Sequence, residues 1–168
     1  MTEKNLKEII VSYMPIFEFK FLFSTFSGVD YSQIVPSLSF INMRPLIIEA
    51  TADTPMVYFD KYTGRFEIKG VSLPANIFEF YHPLIDWLND YCKNPNKETH
   101  LELKFDYLNS SSTKMILNLI STLQSVTSNG CEATIIWYYD AGDKEMKEMG
   151  EEFASNCDLP FRIMNDQD

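Results

Sequence analysis

Four hydroxyl-bearing residues in a row, Ser110, Ser111, Ser112 and Thr113, follow Asn109 where the sequence changes its periodicity. Two kinds of chemistry suit them. Their oxygens can accept the orphan backbone N–H groups of a helix's first turn. Each hydroxyl can also take a phosphoryl group, and a phosphate there would meet the positive end of the helix dipole. A helix needs one cap, and Asn109 can supply it, so three further hydroxyls are surplus to capping. A modifiable switch and a plain cap both remain open readings of this cluster.

Other chemistries have little to work with. There is no Gly-rich phosphate loop, no Walker lysine motif and no His/Cys spacing of the zinc type. His82 and His100 are the only imidazoles, and they read as a helix-surface residue and a loop residue. Asp53, Asp60 and Asp140 could hold a metal only if the fold converged them. The expectation is no cofactor and no metal. Glu145, Glu148, Glu151 and Glu152 read as a solvated helix face. A hydrolytic or small-molecule-binding enzyme using Ser110 or Ser111 with Asp140 is the alternative from another class; it lacks an obvious base. A plain interaction scaffold is the third reading.

The 168 residues suit one domain with a possible appendage. A hydrophobic fraction of 45%, with 14% aromatics, is enough for a core. The net charge of −10 argues against nucleic acid and against docking on anionic lipid. It favours a protein that meets other proteins. Cys92, Cys131 and Cys157 are odd in number and scattered, as expected of buried thiols in a reducing cytoplasm.

The elements that must position the hydroxyls follow from periodicity. Leu101, Leu103, Phe105 and Tyr107 alternate with Glu102, Lys104 and Asp106, which predicts a strand with Tyr107 on its buried side. Met115, Ile116, Leu119, Ile120, Leu123 and Val126 then fall at helical spacing, with Asn129-Gly130 as the stop. Upstream, residues 45–50 and 56–59 read as strands. Asp60 to Gly64 is a hairpin turn, and residues 65–69 return as an antiparallel partner. Residues 72–76 make a turn into a helical stripe bearing Tyr81, Leu84, Leu88 and Tyr91. Pro83 must kink that helix or mark its true first turn. Downstream lie a strand from Ala133 to Tyr139, with Trp137, Tyr138 and Tyr139 as core packing, then a helix carrying Met146, Met149, Phe153 and Cys157, weakened at Gly150. Residues 161–164 form a last strand. The order β-β-β-α-β-α-β-α-β predicts a mixed α/β sheet with an opening hairpin, right-handed crossovers, and helices mainly on one face.

Residues 1–42 read differently. Their Phe-rich run is interrupted by Pro15, Glu18 and Lys20, too short for a membrane span, and it makes a poor signal peptide. Met43 directly precedes the first strand. The expectation is an N-terminal extension over 1–42, upstream of a natural start at Met43, and a regulatory domain over 43–168.

Several motifs carry a family resemblance. They are Ile48-Glu49-Ala50-Thr51, Thr54-Pro55 and Phe59-Asp60; Gly64 to Gly70; and Pro74…Asn76…Glu79-Phe80-Tyr81…Pro83-Leu84…Trp87-Leu88. The run Tyr107 to Lys114, Trp137-Tyr138-Tyr139, Gly150-Glu151-Glu152-Phe153 and Pro160-Phe161 complete them. Spread over about 45–164 in order, this pattern resembles the SiaC family of regulatory phosphoproteins. The resemblance implies a STAS-like fold, of the anti-sigma-factor-antagonist type, and a non-enzymatic cytoplasmic switch. It implies a cognate serine/threonine protein kinase and a PP2C-type phosphatase as partners. It also implies that the unphosphorylated form activates a diguanylate cyclase, raising cyclic di-GMP and promoting biofilm. By the family's Leu-Asn-Thr/Ser-Ser motif the phosphoacceptor falls on Ser110. Ser stands where Thr often does, which makes Ser111 the alternative; Asn109, Ser111 and Ser112 would form the switch surface.

Overall fold

The computed structural model describes residues 43–166. The expectations for residues 1–42, including the start at Met43, fall almost wholly outside them. The described chain runs β1 (Leu46–Ile48), β2 (Met56–Asp60), β3 (Arg65–Ser72), α1 (Ile77–Cys92), β4 (Glu98–Leu108) and α2 (Ser110–Gln124). A 3-10 turn (Ser125–Asn129), β5 (Glu132–Tyr139), α3 (Lys144–Ser155) and β6 (Phe161–Asn165) follow.

The six strands lie side by side in chain order. β1, β2 and β3 form an antiparallel meander, and β3 through β6 are parallel. This order explains why the helices gather on one face. Each crossover steps to the next strand in the same direction, and right-handed crossovers taken one way across a sheet stay on one side. The register agrees: Phe66 pairs with Leu101, and Leu103 with Trp137, so all share a face. On that face Phe66 meets Tyr91 of α1 with ring centroids 4.8 Å apart, and Trp137 meets Phe153 of α3 at 5.2 Å. The opposite face carries Arg65, Glu67, Lys69, Glu102 and Lys104, part wet as the alternation requires.

Several local expectations need correction. Pro83 lies inside α1 and does not mark its first turn, because Asn76 caps the helix two turns earlier by accepting from the amide of Glu79 at 3.2 Å. Both Pro83 and Glu79 face solvent, where a carbonyl without its ladder donor is tolerated. His100 belongs to β4, paired with Arg65, so it is a strand residue. Gly130 stops the 3-10 turn with φ of 71°, one short element after α2 has ended. Cys92 is buried, whereas Cys131 and Cys157 are only half-buried, and none is in a disulfide. Of the aromatic trio, Trp137 is core while Tyr138 and Tyr139 are half-buried. Cys157 lies beyond α3, where its sulfur accepts from the amide of Leu159 at 3.4 Å.

Gly150 has a packing reason. A Cβ at that position would stand 2.6 Å from Cδ1 of Trp137, so its absence lets α3 settle against the indole. The ring is held there by Nε1, which donates to the carbonyl of Met146 at 3.0 Å.

Candidate functional site

The C-terminal ends of β3 and β4 build the site. Between Gly70 and Val71 the register slips: Gly70 pairs with Phe105, but Val71 pairs with Tyr107. Asp106 is therefore an extra residue, a β-bulge that reverses the facing of everything after it. Gly70, opposite the bulge, has φ of 114°, a region only glycine adopts freely. Tyr107 consequently turns outward, 51% exposed, and Leu108 turns inward, 7% exposed. The expectation that Tyr107 lies on the buried side is overturned, because alternation cannot survive an inserted residue.

Asn109 then ends the strand in an extended conformation and caps α2. Its amide donates to the carbonyl of Ser72 at 3.2 Å. Its Oδ1 accepts from the amide of Ser112 at 2.7 Å, and its carbonyl accepts from the amide of Thr113 at 2.8 Å. The Thr113 hydroxyl donates to that same carbonyl at 3.0 Å. Ser110 and Ser111, the first two residues of the helix, are both exposed. The cap thus falls to Asn109, and two hydroxyls at the positive end of the helix face outward.

Ser112 does not. Its relative exposure is 0%, so it leaves the predicted switch surface and joins the interior. The cause is a run of buried hydroxyls. Ser112 donates to the carbonyl of Ser72 at 3.1 Å, and the Ser72 hydroxyl donates to Ser112 Oγ at 2.8 Å. The Ser72 oxygen lies 2.7 Å from the Tyr81 hydroxyl. With both serine protons committed, Tyr81 is the donor in that last contact. Burial pushes the Tyr81 phenol above its usual range, partly offset by its hydroxyl contacts with Ser72 and Ser112, so it keeps its proton.

Ser72 and Tyr81 are the members that reading the sequence missed. The signal was present: Phe66, Ile68, Gly70 and Ser72 share one parity, which puts Ser72 on the covered face as the last residue of β3. Tyr81 sits on the apolar stripe of α1 and is fully buried.

The other candidate residues are not gathered here. Asp140 is an ion-pair partner of Lys104 at 3.1 Å, and Lys104 also pairs with Asp166. His82 lies on the exposed side of α1 against Phe78, ring centroids 5.3 Å apart. Among the described residues no three His, Cys, Asp or Glu side chains are placed to hold a metal. Among them, too, no helix is long and apolar enough to cross a membrane.

Comparison with known proteins assigns the chain to a family. The model of the SiaC family regulatory phosphoproteins matches residues 48–166. The chain belongs to that family. An uncharacterized protein of Pseudomonas aeruginosa is 31% identical over 121 residues, which is 72% of this chain and 96% of that one. The crystal structure of apo-SiaC from Pseudomonas aeruginosa has a TM-score of 0.66 and 31% identity, covering 73% of this chain and 99% of the other. The structure of the diguanylate cyclase SiaD in complex with its activator SiaC contains a chain matched at TM-score 0.67 and 31% identity, over 71% of this chain and 98% of that chain. The matched family segment contains the bulge, the Asn109 cap and all four hydroxyls.

Proposed function

We propose that this protein is a non-enzymatic, cytoplasmic switch whose unphosphorylated form binds and activates a diguanylate cyclase. Phosphorylation of Ser110 by a cognate serine/threonine kinase blocks docking, and a PP2C-type phosphatase restores it; Ser111 is the alternative acceptor. The observation that carries this reading is the outward-facing Ser110 at a helix start whose capping is done by Asn109. The family supports a regulatory phosphoprotein, and the relative that activates a cyclase supports the choice of effector.

The mechanism is electrostatic and steric. A phosphate adds about −1.5 to −2 charges and strong acceptor oxygens. In the free protein the helix N-terminus holds that charge for about 0.3–1 kcal/mol, so no refolding is needed. On a partner surface shaped for a neutral hydroxyl, burying the unpaired group costs several kcal/mol, roughly 2–7 for even a neutral polar group. Each 1.4 kcal/mol is about tenfold in affinity.

The test is incubation with ATP and the kinase, followed by intact-mass measurement and peptide mapping. One added phosphate on the peptide containing Ser110, removed by the phosphatase, is the expected result. The modified chain should then fail to activate the cyclase that the unmodified chain activates. Full activation by the phosphorylated chain would reject the switch.

A further inference from the structure

Four adjacent hydroxyls pose a selection problem that the buried relay solves. Side chains on an α-helix step by about 100° per residue. With Ser112 held inward, Ser110 lies about 200° away, close to the opposite side of the helix, and Ser111 about 100° away on one flank. Thr113 lies on the other flank, its hydroxyl turned back onto the carbonyl of Asn109. Whatever fixes Ser112 therefore fixes which hydroxyl points farthest from the protein.

We infer that Ser112 is a positioning residue for the phosphorylation switch, locked by Ser72 and Tyr81 so that Ser110 is presented as the acceptor. This deepens the function proposed above and rests on it. The relay joins three elements under the first turn of α2. The Tyr81 hydroxyl comes from α1, both the hydroxyl and the carbonyl of Ser72 come from the end of β3, and Ser112 comes from α2. Each proton has an acceptor, and among the described residues no buried side-chain nitrogen or oxygen lacks a partner. Ser111 is exposed on the flank, but rotating the first turn until Ser111 or Thr113 pointed farthest from the protein would pull Ser112 off the Ser72 carbonyl. That would strand polar groups in a site with no exposure, which the buried environment penalises.

Ser112 therefore has a role without carrying phosphate itself. Its removal should blur the choice of acceptor while leaving the remaining hydroxyls chemically able to react. Loss of a buried hydrogen bond corresponds to a shift of about five- to thirtyfold between the locked first turn and its alternatives.

The experiment uses the full chain as wild type, Ser112→Ala and Tyr81→Phe, each treated with the cognate serine/threonine kinase proposed above. Phosphate is quantified by position from fragment spectra, and thermal melting checks that each variant is folded. Wild type should carry phosphate almost wholly on Ser110. Ser112→Ala should lose at least about fivefold in the ratio of Ser110 to other acceptors, and Tyr81→Phe should shift the ratio in the same direction by less. If Ser112→Ala does not fold, Tyr81→Phe decides alone, since it removes one oxygen and keeps the serine pair. A position ratio unchanged in every folded variant overturns the inference. A wild-type chain that takes no phosphate at all removes the switch itself, a different failure from unchanged selectivity.

Discussion

Asn109 Oδ1 and the amide of Ser112 are 2.7 Å apart, and this bond divides the labour among the five residues that open α2. Asn109 caps, Ser112 anchors inward, Thr113 closes back on the cap, and Ser110 and Ser111 are left outward. Replacing Asn109 with Ala should lower stability by about 0.5–2 kcal/mol, the usual loss for an N-cap. Asn109→Asp should recover most of it, since the carboxylate accepts the same bond and favours the helix dipole. Urea unfolding of the three chains reads the difference.

Ser110 should separate stability from docking. An acidic side chain at the first helical position gains up to about 1 kcal/mol from the dipole. Ser110→Glu should therefore be as stable as wild type or slightly more so, yet bind the cyclase at least about tenfold more weakly, a difference of 1.4 kcal/mol. Ser110→Ala should match wild type in binding and lie within about 0.5 kcal/mol in stability. Calorimetric titration beside thermal melting checks both. Equal affinity for all three chains would sink the docking mechanism.

Gly150→Ala sets two effects against each other. Alanine favours a helix interior over glycine by about 0.8–1 kcal/mol. The added methyl, however, would stand 2.6 Å from the ring of Trp137, which is fully buried and tied to Met146. Overpacking of this kind costs about 1–3 kcal/mol, and a shift of the indole would strain its bond to the Met146 carbonyl. The substitution should be destabilising on balance, with an altered near-ultraviolet signal from Trp137. A melting temperature above wild type would mean that α3 moves away from the sheet easily.

How far the fold could be read from residues alone depends on how locally each feature is encoded. The order of elements came from apolar spacing, which repeats along each segment and survives small errors. The cap at Asn109 was readable because capping needs a particular side chain at one place. The bulge was not, because parity counting assumes that no residue is inserted, and Asp106 carries no mark of being the extra one. Ser112 looked like its neighbours until the phase of α2 against β3 was known. The place of Pro83 depends on the cap at Asn76, well before it, and an Asn in a turn does not by itself mark a helix start. Gly150 reads as a weak point in sequence because its reason, the ring of Trp137 beneath it, lies on another element.

Lys104 and Asp166 link β4 to the end of the described chain, and the pair titrates in a defined direction. The hydrogen bond to Lys104 holds the Asp166 carboxyl below its ordinary value of 3.8. Bonding to Asp166, helped by Asp140, raises the Lys104 ammonium above 10.5. A depressed carboxylate contributes stability that is present above its unfolded value and lost as pH falls through the folded one. A raised ammonium contributes stability present below 10.5 and lost as pH climbs through its higher folded value. The link should thus be intact across neutral pH and weaken in acid below about 3.8. In Lys104→Gln the Asp166 carboxyl should return towards its ordinary value, followed by carbon-detected NMR through the acid range. An unshifted Asp166 titration in the variant would show that the two groups do not meet in solution.

Tyr107 and Leu108 offer the most direct test of the bulge. Unbroken alternation from Leu101, Leu103 and Phe105 would bury Tyr107 and expose Leu108. The slip at Gly70/Val71 does the reverse, leaving Tyr107 51% exposed and Leu108 7% exposed. Truncating a buried Leu costs about 2–5 kcal/mol through lost transfer energy and the cavity left behind. Truncating an exposed aromatic on a strand costs no more than about 1 kcal/mol. Leu108→Ala should therefore be the damaging change, and Tyr107→Ala the mild one, by equilibrium unfolding in urea. Tyr107 also lies on the strand that leads straight into Asn109 and the exposed pair Ser110 and Ser111. If the order of the two costs came out inverted, β4 would run straight, Ser72 and Ser112 would no longer be brought together, and the presentation of Ser110 would need another cause.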